Sequence, residues 1–199
     1  PNYNWDMNMR ISGYNEALIV YILARTSKNF KIDTDVYHNG WARSGAIQNK
    51  NSFYSYNLPL GYNYGGPLFF AHYSFLGLNP TNLTDRYANY WEQNRNHSLI
   101  HYEYSKDNPR GYVGYNENSW GLTASDTPTG YLAHEPNNDR GTITPTAAIS
   151  SITYTPVESM KAIRHFYYVL GDKLWGEYGF YDAFNPTESW WADSYLAID

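Results

Sequence analysis

The sequence predicts an all-α protein built as two layers of helices, and three observations carry that expectation. Segments apolar on every side, Ala17–Ala24 and the body of Gly65–Gly77, alternate with segments apolar on one side, Asp85–Tyr104 and Val157–Leu170. A helix apolar all round is buried all round, whereas a one-sided helix covers it from outside. Long aromatic loops separate these segments, and no period-2 alternation lasts long enough to build a sheet.

The elements follow in order. Ser12 is a capping-type residue ahead of a first inner helix, which carries one carboxylate, Glu16, in its expected first turn. A charge at the mouth of a buried helix is either an ion-pair or dipole partner, or a working acid. Asp33 to Ala42 reads as a short helix with Thr34 as its cap. Residues 43–64 are rich in Asn, Ser, Gly and Tyr, and a long ordered loop of this kind is usually functional. Gly65–Gly77 is punctuated as a helix, with Pro67 at its first position and Gly77 past its end. Thr84 is the expected cap of the outer helix Asp85–Tyr104. Residues 105–143 are mostly loop, with a short helix expected at Ser119–Asp126. Pro145 starts a helix running to Ile152. Thr155-Pro-Val-Glu158 reads as a capping box opening a second outer helix, whose apolar face is Val157, Met160, Ile163, Tyr167 and Leu170. An aromatic loop, 175–185, precedes a last expected helix, Glu188–Ile198.

Composition narrows the function classes. The 199 residues suit one domain, and 42% hydrophobic against 17% charged residues marks a folded chain. A net charge of −5 without any basic run argues against a nucleic-acid partner. There is no cysteine, hence no disulfide framework and no thiolate chemistry. No run approaches the roughly 20 apolar residues of a membrane span. The 22 tyrosines and 7 tryptophans supply flat, wet-edged surfaces suited to sugar rings.

His97 and His101 have metal-compatible i, i+4 spacing with Glu103 nearby, but no third ligand fits a pattern, so packing is the expected role and no metal or cofactor is expected. Glu16, Asp126 and Asp182 each lie in an aromatic or glycine-rich setting. Glycoside hydrolysis needs two carboxylates, one donating a proton to the leaving oxygen and one activating water or attacking. A carbohydrate cleft is therefore the leading expectation.

The segments Tyr14-Asn-Glu-Ala-Leu, Gly65 to Gly77, Trp120-Gly-Leu-Thr-Ala-Ser-Asp, Pro145-Thr-Ala-Ala and Tyr178-Gly-Phe-Tyr-Asp-Ala-Phe closely resemble the bacterial "putative glucoamylase" family. That family includes endo-β-1,2-glucanases and domains of cyclic β-1,2-glucan synthases. The resemblance runs the length of the chain. It implies an (α/α)6 toroid, a secreted or periplasmic location, inversion at the anomeric centre, and an essential glutamate at Glu16. Other acids important in the family lie upstream of anything matched here.

The combined expectation is an inverting β-1,2-glucan hydrolase, with residues 1–199 as a partial catalytic domain, approximately its C-terminal half. Glu16 is the expected catalytic acid or a group on the proton path. Trp120, Asp126, Tyr181 and Asp182 are expected in the sugar cleft, with Trp41, Tyr62 and Tyr64 behind them. A non-catalytic glycan-binding role and glucosyl transfer in cyclic glucan synthesis remain open alternatives. About seven helices are legible, too few to close a ring, so the expected partners are an oligo- or polysaccharide and the remainder of the same protein.

Overall fold

The computed structural model describes residues 10–196 and 198. The fold is mainly helical. Helices α1 (Leu18–Thr26), α2 (Thr34–Val36), α3 (Phe69–His72), α4 (Tyr90–Asp107), α5 (Pro145–Ser150), α6 (Pro156–Tyr168) and α7 (Gly171–Leu174) are joined by long loops. Strands occur as antiparallel two-stranded ribbons: β1 (Ser52–Phe53) with β2 (Tyr56–Asn57), β3 (Ala124–Thr127) with β4 (Gly130–Ala133), β5 (Trp175–Gly176) with β6 (Gly179–Phe180), and β7 (Phe184–Asn185) with β8 (Trp190–Trp191).

Proline sets two helix starts where the sequence places them, Pro145 and Pro156. Other boundaries move for local reasons. The first helix begins at Leu18, not after Ser12, because Asn15 Oδ1 accepts the Ala17 amide at 2.9 Å and closes a turn ahead of it. Glu16 therefore precedes the helix. Thr34 lies inside α2, which runs on into a π turn, Tyr37–Trp41. The Gly65–Gly77 segment yields only α3 and a 3-10 extension, Tyr73–Leu76. Asn89, not Thr84, caps α4, accepting the Glu92 amide at 3.1 Å. The capping box at Thr155 does not form: Thr155 Oγ1 donates to the Ser151 carbonyl and meets Ser159 Oγ, each at 3.1 Å. The helices expected at Ser119–Asp126 and Glu188–Ile198 are replaced by β3 and by the β7–β8 ribbon.

The layer assignment of α4 reverses. Expected outside, it is the most enclosed helix among the described residues, with Gln93, Asn94, His97, Ser98 and His101 fully buried. Its polar groups find partners inside: Gln93 Oε1 accepts the Leu60 amide at 2.8 Å, and Asn94 Nδ2 donates to Tyr154 Oη at 3.0 Å. Its ends enter two different cores. Tyr90 packs with Tyr14, Leu18, Trp41 and Leu60. Tyr102 and Tyr104 pack with Trp120, Leu122, Phe166 and Phe184.

Two apolar faces are open. In α1, Leu18 is buried, but Val20 is 51% and Leu23 61% exposed. In α6, the buried face is Ser159, Ala162 and Phe166, while the expected core residues Val157, Met160 and Tyr167 face outward. Among the described residues no helix is long and apolar enough to cross a membrane.

Candidate functional site

The ribbon β3–β4 and the segment 181–195 bring two of the expected acids together. Asp182 is 2% exposed, and its Oδ2 accepts the Asp126 backbone amide at 2.6 Å. Its own amide donates to the Ser194 carbonyl at 2.9 Å. Ser194 Oγ donates to Asp126 Oδ2 at 2.5 Å. The three residues form one knot that fixes the direction of both carboxylates.

An aromatic surface adjoins this knot. The Tyr181 and Tyr195 rings lie 5.0 Å apart, and Tyr178 meets Tyr195 at 5.4 Å. A hydrogen bond to Tyr195 raises the Tyr181 phenol above its ordinary value. Gly176 makes room for the pair, since a Cβ there would overlap both hydroxyls. Tyr178 is 77% exposed. Carboxylates beside open tyrosine rings are suited to holding sugar hydroxyls and stacking sugar faces.

Glu16 stands apart from this knot in sequence and in its contacts. It is exposed, and its backbone carbonyl accepts a hydrogen bond from Ser74 Oγ, which also accepts the Ile19 amide at 3.1 Å. Ser74 thereby ties the entry of α1 to the α3 segment. Burial among aromatics, which would favour a protonated acid, is not provided around Glu16 by the described residues.

Two of the expected platforms are core. Trp120 is fully enclosed, with its ring 5.8 Å from Tyr102 and its Nε1 donating to the Glu158 carbonyl at 3.5 Å. Trp41 is equally enclosed, donating to Tyr90 Oη at 3.3 Å. Neither offers a face to a sugar. Tyr64 is half-buried and packs on Phe53 at 4.4 Å. Tyr62 is 63% exposed and lines an open cleft of about 680 Å³.

That cleft holds a carboxyl which sequence reasoning missed, Glu135. It sits between His134 and Pro136 in a segment read only as loop, where no periodicity or spacing singles it out. Burial raises its pKa above the ordinary value.

His97 and His101 converge on one acceptor: their Nε2 atoms lie 2.8 and 2.9 Å from the Gly66 carbonyl. Burial lowers the pKa of His97 to about 4 and that of His101 well below its usual value. Both rings are therefore neutral and donate through Nε2, holding the turn before α3. Glu103 instead pairs with Lys106 at 3.0 Å.

Residues 8–199 match the profile of a family described as "Glycoamylase: Putative glucoamylase". A curated exo-β-1,2-glucooligosaccharide sophorohydrolase of Parabacteroides distasonis is 42% identical over the whole chain. A structure described as a putative glucoamylase from Bacteroides uniformis is 58% identical, with a TM-score of 0.96. An endo-β-1,2-glucanase of Chitinophaga pinensis, in complex with sophorotriose and glucose, is 53% identical, with a TM-score of 0.95. Each alignment covers 100% of this chain. The chain spans 30% of the curated relative and 48% and 49% of the two solved chains.

Proposed function

The chain belongs to the "putative glucoamylase" family, and from that premise we propose that it is part of a glycoside hydrolase acting on β-1,2-glucan. One observation carries the reading: the full length of the chain superposes on an endo-β-1,2-glucanase that holds sophorotriose and glucose, at 53% identity.

In this reading the chain is approximately the C-terminal half of an (α/α)6 toroid. The rest of the same protein covers the open faces of α1 and closes the ring. Hydrolysis proceeds with inversion, which requires two carboxyl groups about 6.5–9.5 Å apart across the scissile bond. Glu16 is the proposed acid or proton-path group, and the complete protein supplies the enclosure that a protonated carboxyl needs. Asp126, positioned by the nearly buried Asp182, offers an acceptor to sugar hydroxyls, with Tyr181 as a stacking face. Further carboxylates of the cleft come from outside this chain. A secreted or periplasmic location completes the proposal and rests on the family resemblance.

Product analysis on linear β-1,2-glucan with the complete protein tests the reading. Shorter linear products are expected. Cyclic products would mean transfer to a sugar hydroxyl, and an unchanged polymer with measurable binding would mean a glycan-binding role.

A further inference from the structure

The cleft around Tyr62 and Glu135 is assembled from three stretches distant in sequence, 48–51, 61–63 and 135–137. Hydrogen bonds among its own walls fix it. Asn49 Nδ2 donates to the Gly61 carbonyl at 3.1 Å, Asn51 Nδ2 to Asn63 Oδ1 at 3.3 Å, and Asn137 Nδ2 to the Asn63 carbonyl at 3.0 Å. The loops are thus held in place by the same amides that line the cleft.

Its volume of about 680 Å³ lies within the roughly 300–1,000 Å³ of small-molecule sites. Its lining does not resemble the usual apolar one. Amides dominate, joined by one carboxyl, Glu135, one ammonium, Lys50, and one exposed phenol ring, Tyr62. An apolar ligand is poorly matched, and charges of opposite sign do not select a strongly charged one. A neutral polyhydroxylated ring suits this lining. Amides both donate and accept, as hydroxyls do, and a tyrosine face stacks on the apolar side of a sugar while its edge stays wet.

Glu135 sharpens the match. Its Oε2 is sealed from solvent beside Gly66 with no hydrogen-bond partner, an unsatisfied acceptor in the wall of the cleft. The backbone behind it is fixed, since the Asn138 amide donates to the Glu135 carbonyl at 2.9 Å. We propose that this cleft is a glucosyl-binding subsite, with Tyr62 as its platform and Glu135, Gln48, Asn51 and Asn137 as hydroxyl partners. The inference rests on the glucan-hydrolase reading and adds a place where the glucan chain is gripped.

The test uses the complete protein and linear β-1,2-gluco-oligosaccharides of increasing length. Tyr62→Ala and Glu135→Gln are expected to raise KM for the longer oligosaccharides about tenfold, the loss of one stacked or charge-assisted contact, with a smaller effect on kcat. Tyr62→Phe keeps the ring and is expected to stay near the parent. An unchanged KM at every length in both Tyr62→Ala and Glu135→Gln overturns the subsite and leaves the hydrolase reading intact. Should the parent protein fail to cut β-1,2-glucan, calorimetric titration with the same oligosaccharides decides: binding abolished by Tyr62→Ala supports a glucosyl site, and binding indifferent to it, or absent, overturns one.

Discussion

Asp182 Oδ2 accepts the backbone amide of Asp126 at 2.6 Å, joining two acids 56 residues apart in the chain. A nearly buried carboxylate that satisfies a strand amide is structural. Asp182→Ala leaves that amide without its partner and is expected to destabilise the protein by about 1–3 kcal/mol. Asp182→Asn keeps an acceptor at the same place and should lose less. Urea denaturation of the two variants checks the order. Equal losses would mean that the amide bond does not carry the effect.

The buried histidines make stability depend on pH, and the sign is fixed. His97 has a pKa of about 4 in the folded protein, His134 about 4 and His72 about 3, each lowered chiefly by burial from an ordinary 6.5. Between these values the unfolded chain binds more protons than the folded one, so stability rises with pH. This contribution is complete above pH 6.5 and is lost as the pH falls through about 4. His97→Gln keeps a donor for Gly66 and removes the titrating ring. The acid limb of a stability–pH profile should become shallower by up to about one proton, and an unchanged limb would contradict the assignment.

Gly65 has φ +99°, and a Cβ there would overlap the His97 ring. The ring is held on the Gly66 carbonyl and buried, so it has little room to yield. Gly65→Ala is expected to cost roughly 2 kcal/mol or more from backbone strain and overlap together. A lowered Tm measures it. Gly130→Ala is the comparison, since it has φ +144° with nothing within 4 Å, and its smaller loss reads the strain alone.

Glu16→Gln in the complete protein is expected to lower turnover of β-1,2-glucan by about 10²-fold or more, the usual contribution of a positioned general acid. Oligosaccharide binding should survive, because the amide preserves the shape. Reducing-sugar release and a binding titration read the two quantities separately. Turnover at the parent rate would remove Glu16 from the chemistry.

What the sequence determined by itself are features written in neighbouring residues. Pro145 and Pro156 start helices because a fixed φ and a missing amide suit the first turn. The lack of sustained alternation leaves only two-stranded ribbons among the described residues. Tyr181 and Asp182 stand together in one segment, and the quoted motifs carry the family. What only the tertiary structure decided is which polar and aromatic groups are enclosed. The polar face of α4 reads as outer, yet it lies inside because Leu60, Gly66 and Tyr154 arrive from distant segments to bond it. Trp41 and Trp120 are as aromatic as Tyr62, but the first two fill cores and the third lines a cleft. Glu135 is one acid among many along the chain. It becomes distinctive where one of its oxygens is sealed beside Gly66 and the residue lines a cleft with 48–51 and 61–63. Burial and hydrogen-bond satisfaction are sums over contacts from far along the chain, so no local pattern encodes them.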